Sequence, residues 1–221
     1  MIVGIMGNDG TGKTTLVEEL ARCCEEAGIS VVIRRGFDHP LLAALLRRCP
    51  SQRLSEGRRR YLDPGAPRRF WMRLWPFAVC LECLIVTCWE RLTARDRLIL
   101  YDRTPFDHLV SFEHLGCSSA MVRRLFLRLP RPHLLILLEA PPRLACRRKG
   151  ENPRLHLPYH RAQQQRYAEL AAALRLRPLP TDRDQAAVTL DAWRRIAARW
   201  PATFGFLPRP AAGNLSGSVL L

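Results

Sequence analysis

MIVGIMGNDGTGKTT (residues 1–15) runs from a short apolar segment into glycines and stops on a lysine and two threonines. Gly7, Gly12, Lys13 and Thr14 satisfy GxxxxGK[ST], the pattern of a phosphate-binding loop. Glycines let backbone N–H groups turn toward phosphate oxygens, and a helix starting at the loop adds the positive end of its dipole. Asn8, Asp9, Gly10, Thr11 and Thr15 complete the predicted cradle. In such a loop the lysine, here Lys13, reaches the β- and γ-phosphates, and the hydroxyl of Thr14 can ligate Mg²⁺. The composition of the chain yields only about 0.0005 chance matches to this pattern. Lysine makes the match rare: only Lys13 and Lys149 are lysine among 35 basic residues, so a lysine here is not a product of composition.

Outward from the loop, apolar runs alternate with amphipathic stretches, as in a parallel sheet flanked by helices. Ile2–Met6 reads as a first strand and Lys13–Ala27 as a helix, with Gly28 after its end. Val31–Arg34, Leu98–Tyr101, His133–Leu138 and Leu176–Leu179 read as four further strands. Helices are predicted over Phe77–Ala94, Pro142–Arg148, Tyr159–Leu174 and Arg183–Arg199. On the first of these, Leu81, Leu84, Ile85 and Cys88 follow helical spacing and read as a buried stripe. The expectation is one α/β domain over residues 1–200, with a five-stranded parallel sheet, and a loose tail over 201–221 rich in Pro, Gly and Ala.

The composition, 48% hydrophobic and 25% charged in 221 residues, is that of a globular chain. No apolar stretch has the length of a membrane span, and the N-terminal apolar run is too brief for a secretory signal. The eight cysteines include one CxxC pair, Cys80 and Cys83, without a second pair at zinc-finger spacing. They read as small packed hydrophobes in a reducing cytoplasm. The net charge of +15 is carried almost wholly by arginine. Its densest segment, 47–73, holds nine arginines and fits either a solvated surface arm or a contact for nucleic acid or a membrane surface.

A second informative stretch is LILYDRTPFDHLVSFEHL (98–115). Asp102 ends an apolar strand, where phosphate-loop proteins set a carboxylate near Mg²⁺. In ATPases a glutamate commonly follows and polarises water. Arg103 stands there instead; it cannot act as a base, but it can neutralise a phosphoryl group or an anionic acceptor. The pair favours transfer to a phosphorylated substrate over transfer to water.

GNDGTGKTT followed by YDR resembles thymidylate kinase and its thymidylate kinase-like relatives, nucleoside monophosphate kinases of the P-loop NTPase fold. Their loop reads GxDGxGK[ST]T, and their third strand ends in Asp-Arg. LLILLEAPPRLACRRKGE (134–151) is similar to the family's strand, Pro-containing turn and basic helical lid. YHRAQQQRYAEL (159–170) is similar to the helix that follows. The resemblance spans about residues 1–199. It implies a three-layer α/β fold with a helical lid, ATP and Mg²⁺ as cofactors, and a nucleoside monophosphate as acceptor. Lys13 and the loop amides would hold the ATP phosphates, and Thr14 with Asp102 would position Mg²⁺. Arg103 would contact the transferring phosphoryl or the acceptor phosphate. Arg148, with Lys149, would close from the lid, and Asp9 would lie near the acceptor's sugar. The relatives are commonly dimers, which implies a homodimer.

At the acceptor site the sequence departs from this pattern. After the second strand the family carries Arg-Glu-Pro-Gly; RRGFDHP (34–40) retains only an arginine, Arg34. Phe77 falls at the position of the base-stacking aromatic, but Leu81 stands where an arginine reads thymine. The aromatic cluster FWMRLWPF (70–77) either lines an altered pocket or belongs to the core. Two other functions fit the same residues. One is a kinase of a nucleoside or another small alcohol, with Asp38 or Asp9 as base. The other is a non-enzymatic nucleotide-binding module whose basic arm contacts nucleic acid.

Overall fold

Along β1 (Ile2–Gly7) every residue is buried, and successive side chains point to opposite faces of a sheet. Val3 and Ile5 join one core with Leu98 and Leu100, whereas Ile2 joins Ile99 and Tyr101 in another. A computed structural model describes residues 1–36, 69–93 and 97–204, with the backbone alone at 69–73. Asp38, most of the arginine-rich segment and the tail after Phe204 lie outside the described residues.

Along the chain follow α1 (Lys13–Glu26), β2 (Val31–Arg35), α2 (Arg69–Thr93), β3 (Leu98–Asp102), α3 (Pro105–His114), α4 (Ala120–Arg128) and β4 (Leu134–Glu139). Then come α5 (Pro142–Arg148), α6 (Pro153–Leu174), β5 (Leu179–Pro180), α7 (Gln185–Arg199) and α8 (Pro201–Phe204). The strands form one five-stranded parallel sheet in the order β2-β3-β1-β4-β5. Parallel neighbours need crossovers, so helices connect the strands. On one face Leu16, Val17 and Leu20 of α1 and Val188, Ala192, Trp193 and Ile196 of α7 share the core of Val3 and Ile5. Phe204 of α8 joins that core and meets Trp193 edge to face, so the chain is helical and anchored through Phe204 where a loose tail is expected to begin.

The chain divides into two compact units. The first comprises 1–35, 94–104 and 131–221, and the second comprises 36–93 and 105–130. The sheet belongs to the first. Its chain leaves β1 for β2, returns to β3 at β1's side, and then continues to β4 on β1's other side. At such a switch point the carboxyl ends of neighbouring strands open a crevice. Ile5 lies in register with Asp102, and Gly7 with Leu138. The loop after β1 and the end of β3 therefore share one edge.

In the second unit α2, α3 and α4 pack on one another, with Phe112 and Phe126 in edge contact. The sequence reading contains neither α3 nor α4. Six residues from Pro105 to Val110 are all buried, so Asp107 and His108 lie inside with the apolar side chains and the first half of α3 has no solvent face. Its start carries Pro105, and α4 is capped by Ser119, whose hydroxyl accepts the Val122 N–H at 3.2 Å. Elsewhere prolines mask boundaries. α6 begins at Pro153 rather than Tyr159 and runs through Pro158, while β5 is only Leu179–Pro180.

The buried stripe expected on α2 is corrected. Leu81 is 58% exposed and Ile85 48%, Leu84 and Cys88 are also exposed, and the stripe continues through Trp89 at 66% and Leu92 at 68%. The side chains that α2 buries include Val79, Cys80, Thr87 and Glu90, on the opposite face. Helical spacing identifies a coherent face, but what packs against the helix decides which face is covered. Burial pushes the Cys83 thiol up to about 12, consistent with a packed, inert cysteine.

Candidate functional site

The loop after β1 is built by its glycines. Gly12 caps α1 with φ near +87°, a left-handed conformation that costs a residue with a Cβ on the order of 1 kcal/mol. At Gly10 an added Cβ would sit 2.3 Å from the carbonyl oxygen of Ala145 in α5, so glycine lets that helix lie directly on the loop. The loop then closes on itself. Thr11 donates its hydroxyl to Asn8 O at 2.7 Å, and buried Lys13 donates from Nζ to Gly7 O and Asn8 O at 2.7 Å each.

Two of the other expected residues meet Asp9. Arg103 Nη2 donates to Asp9 Oδ1 at 2.6 Å, and Lys13 Nζ lies 3.9 Å from the same oxygen. Burial works to raise the Asp9 pKa, but the charges of Arg103 and Lys13, the Arg103 hydrogen bond and the charge of Lys149 together hold it below its ordinary value. Arg103 has φ near +77°, in the left-handed region, where a non-glycine residue costs roughly 1 kcal/mol or more. Its N–H donates to Ile5 O at 3.1 Å. The strand thus ends in a strained turn that carries its guanidinium to the loop.

Beside this group Thr14 Oγ1 donates to Asp102 Oδ2 at 2.8 Å. Asp102 Oδ1 is buried and has no hydrogen-bond partner among the described residues. A buried carboxylate oxygen with an unused lone pair next to a hydroxyl is a hard-oxygen set of the kind Mg²⁺ takes. The donors therefore fit that cation.

The remaining expected residues are more dispersed. Arg148 bonds the backbone after β5, with Nη2 donating to Thr181 O at 2.6 Å and Nη1 to Thr181 Oγ1 at 3.3 Å. Lys149 caps α5 and is exposed. Arg34 is exposed on the edge strand β2, in register with Tyr101. Phe77 is half-buried on α2, in the other unit. Thr15 is exposed on the first turn of α1.

The sequence reading missed the contribution of α6. Burial pushes Tyr159 up to about 12, and the Asp9 charge and a hydrogen bond to Asp9 add to the shift. Its neighbour His160 is fully buried against Asn8. Two consecutive loop residues are thus held by two consecutive helix residues. The signal available was Tyr159-His160 opening the stretch quoted for the helix after the lid, but nothing local ties it to residues 8 and 9.

No protein-family model and no curated protein sequence matches this chain. Among solved structures, thymidylate kinase from Ehrlichia chaffeensis matches with a TM-score of 0.58 and 15% identity, covering 89% of this chain and 98% of that one. The five-stranded parallel sheet and its flanking helices match the thymidylate kinase fold.

Proposed function

We propose that this protein is a Mg²⁺- and ATP-dependent phosphotransferase that moves the γ-phosphoryl group to a nucleoside monophosphate, dTMP or a related nucleotide. The observation that carries the reading is Arg103, held in a strained conformation with its guanidinium on Asp9 beside Lys13 and the Thr14–Asp102 pair. Strain of that kind persists where a side chain must be aimed.

Phosphoryl transfer asks little covalent chemistry of the protein; positioning and charge neutralisation carry the rate. Loop amides and Lys13 bind the phosphates of the donor. Thr14 and Asp102 would hold Mg²⁺, which when bound neutralises phosphate charge. Arg103 meets the acceptor phosphate or the moving phosphoryl, and Asp9 orients Arg103 while facing the acceptor. Arg148 and Lys149 close from α5 over the donor. Arg34 and Phe77 are assigned to the acceptor.

An alcohol acceptor would need a general base, and Asp9 is a poor one. Arg103 and Lys13 keep it ionised and weakly basic, against the tuning toward neutrality that a base requires. A phosphate acceptor, already anionic, needs no such base. Leu81, on the exposed stripe of α2, offers no hydrogen bond to a base edge, so discrimination for thymine has lost the arginine that reads it.

The apolar face of α2 supports a homodimer through that helix. A cytoplasmic setting is supported by the free thiols of Cys23, Cys24, Cys80 and Cys146. No helix among the described residues is long and apolar enough to cross a membrane. The test is a screen with Mg²⁺ and ATP against nucleoside monophosphates, nucleosides and sugar phosphates, scoring ADP release and the phosphorylated product. Transfer to a nucleotide is expected; phosphorylation of nucleosides alone would sink the reading.

A further inference from the structure

Asn8, His160, Glu151 and Cys146 form a polar line that the proposed transfer does not use. Asn8 Oδ1 accepts the Asp9 N–H at 2.7 Å. Asn8 Nδ2 lies 3.2 Å from His160 Nδ1 and donates to His160 O at 3.3 Å. On the other side of the ring His160 Nε2 lies 2.7 Å from Glu151 Oε2. Glu151 stands in the turn between α5 and α6, fixed by Glu151 N to Cys146 O at 3.1 Å and Cys146 Sγ to Glu151 O at 3.3 Å.

These contacts settle the proton positions. A backbone N–H can only donate and a backbone carbonyl can only accept, so the Asn8 amide has one orientation, oxygen toward Asp9 and nitrogen toward His160. His160 Nδ1 then faces a donor and must be the unprotonated nitrogen. The ring proton sits on Nε2 and goes to the Glu151 carboxylate. Cys146, Glu151 and His160 also bring three metal-type ligand atoms within 4.8 Å of one another. A metal on Nε2 would need the proton on Nδ1, against the Asn8 N–H. The arrangement is a hydrogen-bond relay.

We propose that His160 is a positioning residue that couples Glu151, in the α5–α6 turn, to the phosphate loop: its Nε2–H tautomer holds the Asn8 amide, and Asn8 holds the Asp9 N–H. Asp9 carries Arg103, so order in the turn sets the geometry of the residues that meet phosphate. Only the consequence for nucleotide affinity rests on the transferase reading; the ordering of the loop does not.

Hydrogen exchange on peptides covering residues 7–13, in protein without nucleotide, tests the coupling. Glu151→Ala, His160→Asn and His160→Gln are each expected to speed loop exchange about tenfold, the scale of one lost buried hydrogen bond. His160→Asn keeps the acceptor toward Asn8 and His160→Gln keeps the donor toward Glu151, so each breaks one half of the relay. Glu151→Gln retains an oxygen to accept the Nε2 proton and stays near the parent. A double Glu151→Ala/His160→Gln variant exchanges no faster than His160→Gln alone. General destabilisation would speed exchange in β4 and α7 as well, whereas the relay confines it to the loop and the turn. Unchanged loop exchange in Glu151→Ala, whose side chain is partly exposed, overturns the proposal, as does additivity in the double variant. Stoichiometric Zn²⁺ binding that disappears in Cys146→Ser overturns the proton assignment and the relay with it. Calorimetry with ATP separates the two readings. Weaker ATP binding in the variants supports both, and loop effects without ATP binding even in the parent refute the transferase while the relay stands.

Discussion

In the loop after β1, Asn8, Thr11 and Lys13 are buried and each is held by a partner; along α2, large apolar side chains are exposed while Thr87 and Glu90 are buried. The loop follows the rule that burial of a charge requires compensation. Lys13 has two carbonyls, Asp9 has Arg103, and Asn8 has His160. The outward face of α2 breaks the rule that apolar stripes face inward, and a contiguous exposed apolar patch marks an interface. The first region is complete within its own chain, whereas the second reads as half of something.

The sharpest way to break this contrast is to remove charge from the loop. Lys13→Ala and Arg103→Ala should each lower kcat/KM for transfer by about 10³-fold or more with the far-UV spectrum unchanged. Full activity in Arg103→Ala would refute the role given to the Asp102-Arg103 pair. Next in size, Trp89→Asp combined with Ile85→Asp should convert a dimer to a monomer in sedimentation experiments, with little loss of monomer stability because both side chains are exposed. A parent that is already monomeric at high concentration would show that α2 has no such partner.

A smaller effect isolates the strain at the end of β3. Arg103→Gly and Arg103→Ala both delete the ion pair, but only glycine relieves φ near +77°, so the glycine variant should be more stable than the alanine variant by about 1 kcal/mol in denaturant melts. Equal stabilities would show that the turn is unstrained. The smallest effect lies at alkaline pH. Tyr159 titrates near 12 in the fold against an ordinary value of 10, so its contribution is complete below about pH 10 and is lost as pH rises toward 12. The stability difference between the parent and Tyr159→Phe should shift against the parent across that window. A flat difference would show that Tyr159 is neither buried nor held beside Asp9.

Much of this site is legible locally. Gly7 to Thr14 specify their backbone through glycine and their chemistry through one lysine in a chain that otherwise uses arginine. The strand-end dipeptide Asp102-Arg103 is equally readable, because an apolar run that stops on a charge marks a sheet edge. The helices α3 and α4 were not legible, one being buried along most of its length and the other only nine residues long. The faces of α2 were misread for a different reason: periodicity reports which residues lie together and is silent about what lies opposite them.

By itself the sequence determined the glycine loop after β1, the helix it starts, the alternation that demands a parallel sheet and the carboxylate at the end of β3, all of which depend on near neighbours and backbone preferences. Tertiary structure alone decided that Arg103 meets Asp9 from 94 residues away, that His160 meets Asn8 from 152, and that the apolar stripe of α2 faces outward. Those pairings depend on strand order and register, which bring distant residues to one edge of the sheet, and no local preference encodes them.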